Sequence, residues 1–124
     1  MNKNDLSLLG KNFDGQTVLI TGHTGFKGSW LTAWLKQLGA KVVGIALDPP
    51  TEPSHFGAAQ MADEMTDLRI DVCNQVALEE AVISAQPDFV FHLAAQPLVR
   101  RSYDNPVETW QTNVLGTLHV LEAL

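Results

Sequence analysis

Three glycines spaced three residues apart form the stretch of the chain best suited to bind a ligand. The stretch TGHTGFKG covers residues 21–28. Gly22 would let the chain turn off a strand, Gly25 would leave room for a pyrophosphate, and Gly28 would let the next helix pack closely. The backbone amides of residues 24–27 would then face the phosphates, supported by the helix dipole. The spacing predicts a nucleotide-phosphate site, with a merely tight strand-to-helix turn as the alternative.

An acidic side chain follows the second apolar run at the distance that ribose recognition requires. Asp48 stands twenty residues after Gly28, where a carboxylate can accept a hydrogen bond from a ribose 2′-OH and would repel a 2′-phosphate. This favours NAD over NADP, although Asp48 could simply open the proline-rich loop that follows. Asp71 could accept the adenine amino group while Val72 packs on the ring, or Asp71 could cap a helix.

The elements that must position these residues alternate along the chain. Apolar and β-branched runs predict buried strands at 17–21, 41–47, 68–70 and 88–94. Periodicity and cap signals predict helices at 26–38, at 75–85 and from 105 onward, with a short helix within 54–66. Such alternation implies a parallel sheet in the strand order 3-2-1-4. The fold class is therefore α/β, an incomplete Rossmann-type doubly wound sheet.

Further expectations concern segments and packing faces. Residues 1–14 are predicted to be a loose lead-in to a cofactor-binding unit over 15–124, and 96–104 to be a loop. The inner face of the first predicted helix should carry its large apolar residues: Phe26, Trp30, Leu31, Trp34, Leu35 and Leu38. The inner side of the second should carry Val76, Ala77, Ala81 and Val82. His92 is predicted to be a hydrogen-bonded core group.

Composition argues against several classes of partner. The net charge of −6 over 124 residues disfavours a duplex nucleic-acid binder, which needs a basic face. The apolar runs are too short to span a membrane. A single cysteine, Cys73, and an opening stretch without the apolar core of a secretory signal predict a cytoplasmic protein. The four histidines have no carboxylate or cysteine at ligand spacing, so we expect no metal site.

The motifs resemble those of the extended short-chain dehydrogenase/reductases, the NAD-dependent epimerase/dehydratase family. The resemblance rests on TGHTGFKG, the Asp71-Val72 pair, HLAAQ at 92–96 and TNVLGT at 112–117. Longer stretches are similar to the CDP-glucose 4,6-dehydratases within that family: 22–31, 46–54 and 92–103. Lys27 is informative because most extended members carry an aliphatic residue there. The resemblance extends from about Phe13 to Leu124.

The resemblance implies an NAD-dependent dehydration of CDP-glucose. In that reaction the sugar is oxidised at C4, water is lost across C5 and C6, and C6 is then reduced. The product, a CDP-4-keto-6-deoxyglucose, is a precursor of deoxysugars in cell-surface polysaccharides. The implied cofactor is NAD, the implied substrate is a nucleotide sugar, and the complete enzyme is expected to be a homodimer.

The resemblance also assigns residues to the two ligands. Those expected at the cofactor are Gly22, Thr24, Gly25, Phe26, Lys27 and Gly28 at the pyrophosphate, Asp48 at the adenosine ribose, Asp71 and Val72 at the adenine, and Leu93, Ala94, Ala95 and Thr112 along its remaining length. Gln96 and Arg100 are expected on the substrate side. Arg100 could meet a nucleotide phosphate, or it could be an ordinary surface arginine.

The catalytic pair of the family is missing from this chain. A tyrosinate acts as the base, and a lysine four residues later lowers the pKa of that tyrosine. Tyr103 is the only tyrosine, and position 107 is a valine. We therefore expect the catalytic residues beyond Leu124 and expect this chain alone to be inactive. Two alternatives remain: another NAD-dependent nucleotide-sugar dehydratase or epimerase, and a non-catalytic nucleotide-binding module.

Overall fold

The core of the molecule is a parallel sheet of four strands. The structure, a computed structural model, describes residues 3–124, with side chains from residue 7 onward. The strands are β1 (Thr17–Thr21), β2 (Lys41–Ala46), β3 (Thr66–Arg69) and β4 (Phe89–His92), in the spatial order β3-β2-β1-β4. The predicted strand order and the α/β fold class are thus confirmed.

Helices connect the strands and flank the sheet. They are α1 (Lys3–Phe13), α2 (Phe26–Gln37), α3 (His55–Ala58), α4 (Gln75–Ala85), α5 (Val99–Asp104), α6 (Pro106–Trp110) and α7 (Gly116–Ala123). A 3₁₀ turn (Met61–Glu64) precedes β3, and a π-helical turn (Gln111–Leu115) separates α6 from α7. None of the helices described for residues 3–124 is long and apolar enough to cross a membrane.

The register of the sheet brings the carboxyl ends of its strands to one edge. Thr21, the last residue of β1, lies opposite Ile45 of β2 and His92 of β4. Ala46 of β2 lies opposite Arg69 of β3. In open parallel sheets ligands bind in the crevice outside this edge, so the segments that follow the strands become neighbours.

Two apolar clusters cover the two faces of the sheet. One is formed by strand and helix residues on the α4 and α7 side: Leu19, Ile45, Val72, Leu78, Ala81, Val82 and Val120. The other lies on the α2 side and contains Val18, Ile20, Leu35 and Val42. Alternate residues of β1 face opposite clusters, as the two-residue period of a strand requires.

The buried face of α2 consists of three small residues and Leu35, so the predicted inner face is confirmed at Leu35 and wrong for its aromatic residues. Buried positions of α2 are Gly28, Ser29, Thr32 and Leu35. Trp30 and Trp34 are 54% and 42% exposed, and Phe26 is 74% exposed. Close approach of α2 to the sheet explains the difference, because a helix that follows a glycine turn leaves no room for indole rings beneath it.

The phase of α4 also differs in part from the prediction. Leu78 is fully buried together with Ala81 and Val82, whereas Val76 is 66% exposed. Positions 78, 81 and 82 have the i, i+3, i+4 spacing of one helix face, and Val76 lies off that face. The predicted Asn74 cap is confirmed, since its side-chain oxygen accepts a hydrogen bond from the Ala77 amide.

Two segments predicted without regular structure are helical. Within the predicted loose lead-in 1–14, residues 3–13 form α1, while the first two residues lie outside the described part. The Phe13 ring lies 5.0 Å from that of Phe89 in β4, so the end of α1 packs on the sheet. The division of the chain at residue 14 stays a prediction. The predicted loop 96–104 contains α5, which an ion pair between Arg101 and Glu108 joins to α6.

Candidate cofactor site

The glycine turn between β1 and α2 is the centre of the candidate site. Gly22 has a φ of +76°, a conformation that favours glycine, and an added Cβ would lie 2.7 Å from the Ala94 nitrogen. A Cβ at Gly28 would collide with the Gly22 carbonyl and His23. Both glycines are therefore required for the turn to form against the end of β4 and against α2.

Gly25 differs from Gly22 and Gly28 because an added Cβ would meet fewer atoms there. An added Cβ there would meet only the Gly22 carbonyl oxygen, at 3.3 Å. Its φ of −72° is one that any residue adopts. This single contact disfavours a side chain only mildly, and close approach of a ligand to the backbone would be a further reason for glycine at this position.

The amino end of α2 offers donors that no side chain satisfies. Gly25 is the N-cap and makes no side-chain cap hydrogen bond, while its carbonyl accepts from Ser29. The amides of Phe26, Lys27 and Gly28 therefore have no partner within the helix, as at every helix start. With the positive end of the helix dipole they form a site for an anion such as a phosphate.

The side chains of Thr24 and Lys27 take different positions around this helix start. Thr24 is buried, and its hydroxyl donates to the Leu47 carbonyl at 2.9 Å, so that side chain fastens the glycine turn to the end of β2. Lys27 and Phe26 are exposed beside the open amides. At this helix start, the polar groups left to bind a ligand are therefore the backbone amides and the Lys27 ammonium.

Asp48 lies directly after β2 at the same edge. Its side chain is 93% exposed, and its Oδ1 lies 3.8 Å from Nη1 of Arg69. Arg69 ends β3 and donates from Nη1 to the Leu47 carbonyl and from Nη2 to Asp67, both at 2.9 Å. The predicted ribose position therefore carries a fixed cation beside the carboxylate, which the sequence analysis did not foresee.

His23, within the glycine motif, is fully buried and pairs with Asp67, the carboxylate that Arg69 also contacts. Its Nε2 lies 2.7 Å from Oδ1 of Asp67, and the ring packs on Gly44, where a Cβ would collide with it. Burial lowers the pKa of His23, against the opposing effect of Asp67. The imidazole is thus neutral near pH 7, with Nε2–H donating to Asp67 and with Nδ1 buried without a partner.

The end of β4 is held by a chain of hydrogen bonds that starts at Thr21. The amides of Leu93 and Ala94 both donate to Thr21 Oγ1 at 3.1 Å. The Thr21 hydroxyl then donates to Nδ1 of His92 at 2.6 Å, and Nε2 of His92 lies 3.0 Å from Thr117 Oγ1. Burial lowers the pKa of His92. The predicted hydrogen bonding of His92 is confirmed, although its side chain is half-buried and not part of the core.

The segment after β4 runs past the glycine turn with small side chains. Ala94 is half-buried against Gly22, while Leu93 and Ala95 are exposed at the edge. Large side chains at the two alanine positions would fill the space next to the open amides. This placement agrees with the expectation that the cofactor passes here, which stays a prediction.

Gln96 is fixed by the π-helical turn. Its amide donates to Asn113 Oδ1 at 2.8 Å, and Nδ2 of Asn113 donates back to the Gln96 carbonyl at 3.1 Å. Its side chain donates to Thr109 Oγ1 and accepts from the Leu98 amide. The polar atoms of Gln96 thus hold the loop in place, and its role toward a substrate stays a prediction. Single π turns inside helices are frequent at functional sites.

The segment after β3 shows where the predicted adenine residues lie. Asp71 is exposed, and its Oδ1 accepts a hydrogen bond from the Cys73 amide at 2.8 Å. Val72 is buried, with a Cγ in the space that a side chain at Gly116 would need. Thr112 is half-buried, with its hydroxyl 4.0 Å from the Cys73 sulfur. Burial raises the pKa of the Cys73 thiol, with a further contribution from Asp71.

The remaining candidates do not converge on the glycine turn. Arg100 is exposed on α5, and Tyr103 is 82% exposed on the same helix. Among the side chains that the structure describes, from residue 7 onward, there is no group of three His, Cys, Asp or Glu that could hold a metal ion. The described edge of the sheet carries helix amides and an exposed carboxylate, groups of the kinds that bind phosphates and ribose hydroxyls, but it brings together no base and acid for sugar chemistry.

Three residues of the site were not predicted from the sequence: Asp67, Arg69 and Asn113. Two charged residues in a four-residue strand, beside apolar neighbours, were a usable signal for the first two. Asn113 stands within the quoted TNVLGT motif, but only the structure shows that it holds Gln96. The pairing of His23 with Asp67 joins residues 44 positions apart, which no local spacing reveals.

The amino-acid sequence is similar to those of known nucleotide-sugar dehydratases. Residues 19–124 match the family model described as GDP-mannose 4,6 dehydratase. The chain is 49% identical over 118 residues to the CDP-glucose 4,6-dehydratase of Salmonella typhimurium, covering 94% of this chain and 33% of that protein.

Solved structures agree with this at the level of the fold. The epimerase Mth375 of Methanothermobacter thermautotrophicus superposes with a TM-score of 0.81 at 31% identity, over 95% of this chain and 34% of that one. The UDP-glucose 4-epimerase of Thermus thermophilus, solved in complex with NAD, gives a TM-score of 0.72 at 31% identity, over 86% and 33% of the two chains. The chain thus spans about a third of the length of these relatives.

Proposed function

Because the chain belongs to the nucleotide-sugar dehydratase family that the GDP-mannose 4,6 dehydratase model describes, we propose that it supplies the NAD-binding part of a nucleotide-sugar 4,6-dehydratase. The substrate proposed for the complete protein is CDP-glucose, which would be converted to CDP-4-keto-6-deoxyglucose. The identity of 49% to a CDP-glucose 4,6-dehydratase supports that choice. Another nucleotide sugar, or an epimerase reaction, is the alternative within the family.

The observation that carries the proposal is the position of Gly25 at the start of α2. The position has an ordinary φ, an added Cβ there would meet only the Gly22 carbonyl oxygen, and it opens α2, whose first amides have no partner within the helix. Gly22 of the same turn contacts the segment after β4. A dinucleotide fits this arrangement, because its pyrophosphate needs backbone donors and close approach while its ribose needs an acceptor. The exposed Asp48 carboxylate provides that acceptor at the end of the next strand.

Each residue has a physical task in this proposal. The amides of residues 26–28 bind the pyrophosphate, and the Lys27 ammonium adds charge. Asp48 accepts a hydrogen bond from the ribose 2′-OH, and the second oxygen of Asp71 accepts from the adenine amino group. The bound nicotinamide would supply reversible oxidation of a sugar carbon. Ala94 and Ala95 leave the space that the nicotinamide half requires, and the bonds from Thr21 keep that strand end in position.

Orientation of the sugar nucleotide is assigned to the segment after β4. The paired bonds between Gln96 and Asn113 fix the loop that separates the cofactor edge from α5. Arg100 on α5 is exposed and free to approach a nucleotide phosphate, to which a guanidinium can donate two parallel hydrogen bonds. The tyrosine and lysine of the reaction would be supplied by the rest of the complete protein. Its assembly as a homodimer and its cytoplasmic location are part of the same proposal.

The test is turnover by the complete protein with CDP-glucose, dTDP-glucose and UDP-glucose, each with NAD. We expect formation of a 4-keto-6-deoxy sugar, fastest with CDP-glucose. Epimerised product, or a preference for another nucleotide, would replace the substrate proposal by the alternative within the family. Tight NAD binding without turnover of any of the three sugars would instead favour the non-catalytic nucleotide-binding module. Absence of NAD binding would overturn both.

A further inference from the structure

We infer that Arg69 is a specificity-determining residue of the ribose site, a resident cation that would bind a 2′-phosphate once the charge of Asp48 is removed. The inference rests on the proposed NAD function and deepens it. It assigns the choice between the two nicotinamide cofactors to a balance between Asp48, two residues after β2, and Arg69, the last residue of β3.

The position of Arg69 is fixed by contacts on three sides. Nη1 donates to the Leu47 carbonyl and Nη2 to Asp67, while the guanidinium carbon lies 5.2 Å from the centroid of the Phe56 ring. Asp67 is itself held by His23 through its other oxygen. The cation is therefore preorganised beside Asp48, and little conformational entropy would be lost when it binds an anion.

The guanidinium retains donors for a ligand. It has five N–H groups, of which the contacts to Leu47 and Asp67 use two. The Arg69 side chain is 36% exposed, so part of the guanidinium faces solvent. Asp48 stands on that side at 3.8 Å, a distance at which it attracts the cation without occupying a donor in a short hydrogen bond.

The charges around Asp48 explain why the unsubstituted site would prefer NAD to NADP. His23 is neutral, so Arg69, Asp67 and Asp48 together carry one net negative charge. A 2′-phosphate would meet the exposed Asp48 carboxylate, whereas a 2′-OH can donate to it. Replacing Asp48 by asparagine leaves the remaining pair neutral and keeps an acceptor oxygen. The 2′-phosphate then meets the open donors of Arg69 without repulsion.

The experiment measures the dissociation constants of NAD and NADP by calorimetry on the complete protein. The variants are Asp48→Asn, Arg69→Met and the double substitution. Lys41→Met is the matched control, because it removes one positive charge at the amino end of β2, the opposite edge of the sheet. Thermal unfolding of each variant verifies the fold.

We expect the wild type to prefer NAD and Asp48→Asn to bind NADP about tenfold more tightly than the wild type does, equivalent to about 1.4 kcal/mol. Arg69→Met in the Asp48→Asn background should abolish that gain, and Lys41→Met should not change the preference. A gain in NADP affinity that survives loss of Arg69, or no gain on Asp48→Asn, would overturn the inference. Failure of the wild type to bind NAD would instead contradict the proposed function.

A second readout covers the case in which Arg69→Met does not fold. NADP binding to the Asp48→Asn protein should weaken with added salt more steeply than NAD binding, because the 2′-phosphate pairs with a cation that salt screens. The Asp48 side chain is almost fully exposed, so this variant is expected to fold. Equal salt dependence of the two cofactors would contradict the role of Arg69.

Discussion

Gly22 and Ala94 approach each other so closely that no side chain can stand at position 22. A Cβ added to Gly22 would lie 2.7 Å from the Ala94 nitrogen and 2.9 Å from its Cα. The turn after β1 and the segment after β4 are therefore in direct backbone contact. This contact joins the predicted phosphate end of the site to the predicted nicotinamide end.

Gly22→Ala tests this contact through stability. The substitution forces a non-glycine residue to a φ of +76° and drives its Cβ into the backbone of the segment after β4. We expect a loss of unfolding free energy on the order of 3 kcal/mol, from backbone strain and overpacking together. Urea denaturation measures it. Gly10→Ala is the control, because Gly10 lies in α1 with nothing within 4 Å of an added Cβ, and it should leave stability unchanged or slightly higher.

Asp71→Asn separates the structural role of this residue from its predicted ligand role. The Oδ1 of Asp71 accepts from the Cys73 amide, and an asparagine oxygen can do the same. The second oxygen would be replaced by an NH₂ group, which cannot accept from an adenine amino group. We expect unchanged thermal stability and roughly tenfold weaker NAD binding. Unchanged NAD affinity would show that Asp71 serves only the turn before α4.

Stability should fall as the pH is lowered below about 6.5, the ordinary histidine value. Burial lowers the pKa of both His23 and His92, so the unfolded chain binds protons there more readily than the folded chain does. Their contribution is fully present above the unfolded value and is lost progressively below it. Each group adds a slope of at most about 1.4 kcal/mol per pH unit.

Urea denaturation at about pH 8 and about pH 5.5 measures this dependence on either side of the unfolded histidine value. A His92→Asn variant, whose side chain does not titrate in that range, should show a shallower decline than the wild type. Stability that is constant over the interval would contradict a lowered pKa at both histidines.

The strands and the glycine turn could be predicted because their signals are local. The run from Thr17 to Thr21 is apolar and β-branched, and its predicted bounds match β1. The other strands were predicted to within a few residues of their observed ends. In β3 the charged Asp67 and Arg69 interrupt the apolar pattern, so the start of the strand was missed. Parallel pairing then followed from the alternation of strands and helices.

The helix faces and the short helices depended on tertiary contacts that the sequence does not display. The aromatic residues of α2 were predicted to face the core. The helix instead approaches the sheet closely at Gly28, and the face that it buries carries mostly small side chains. The Trp30 ring instead stacks on His55 at 4.1 Å between centroids. The charge cluster at Asp48 was likewise invisible, because it joins the ends of two strands whose register only the fold fixes.

Binding of NAD by a Gly25→Ala variant of the complete protein tests the central claim most directly. Gly25 has an ordinary φ, and the one close contact of an added Cβ, with the Gly22 carbonyl oxygen at 3.3 Å, is relieved by a shift of a few tenths of an ångström, so we expect the variant to fold. The methyl group would, however, stand where the pyrophosphate must approach. We predict a thermal midpoint close to that of the wild type and NAD affinity lowered by about tenfold or more. A folded variant that binds NAD as tightly as the wild type would contradict the account.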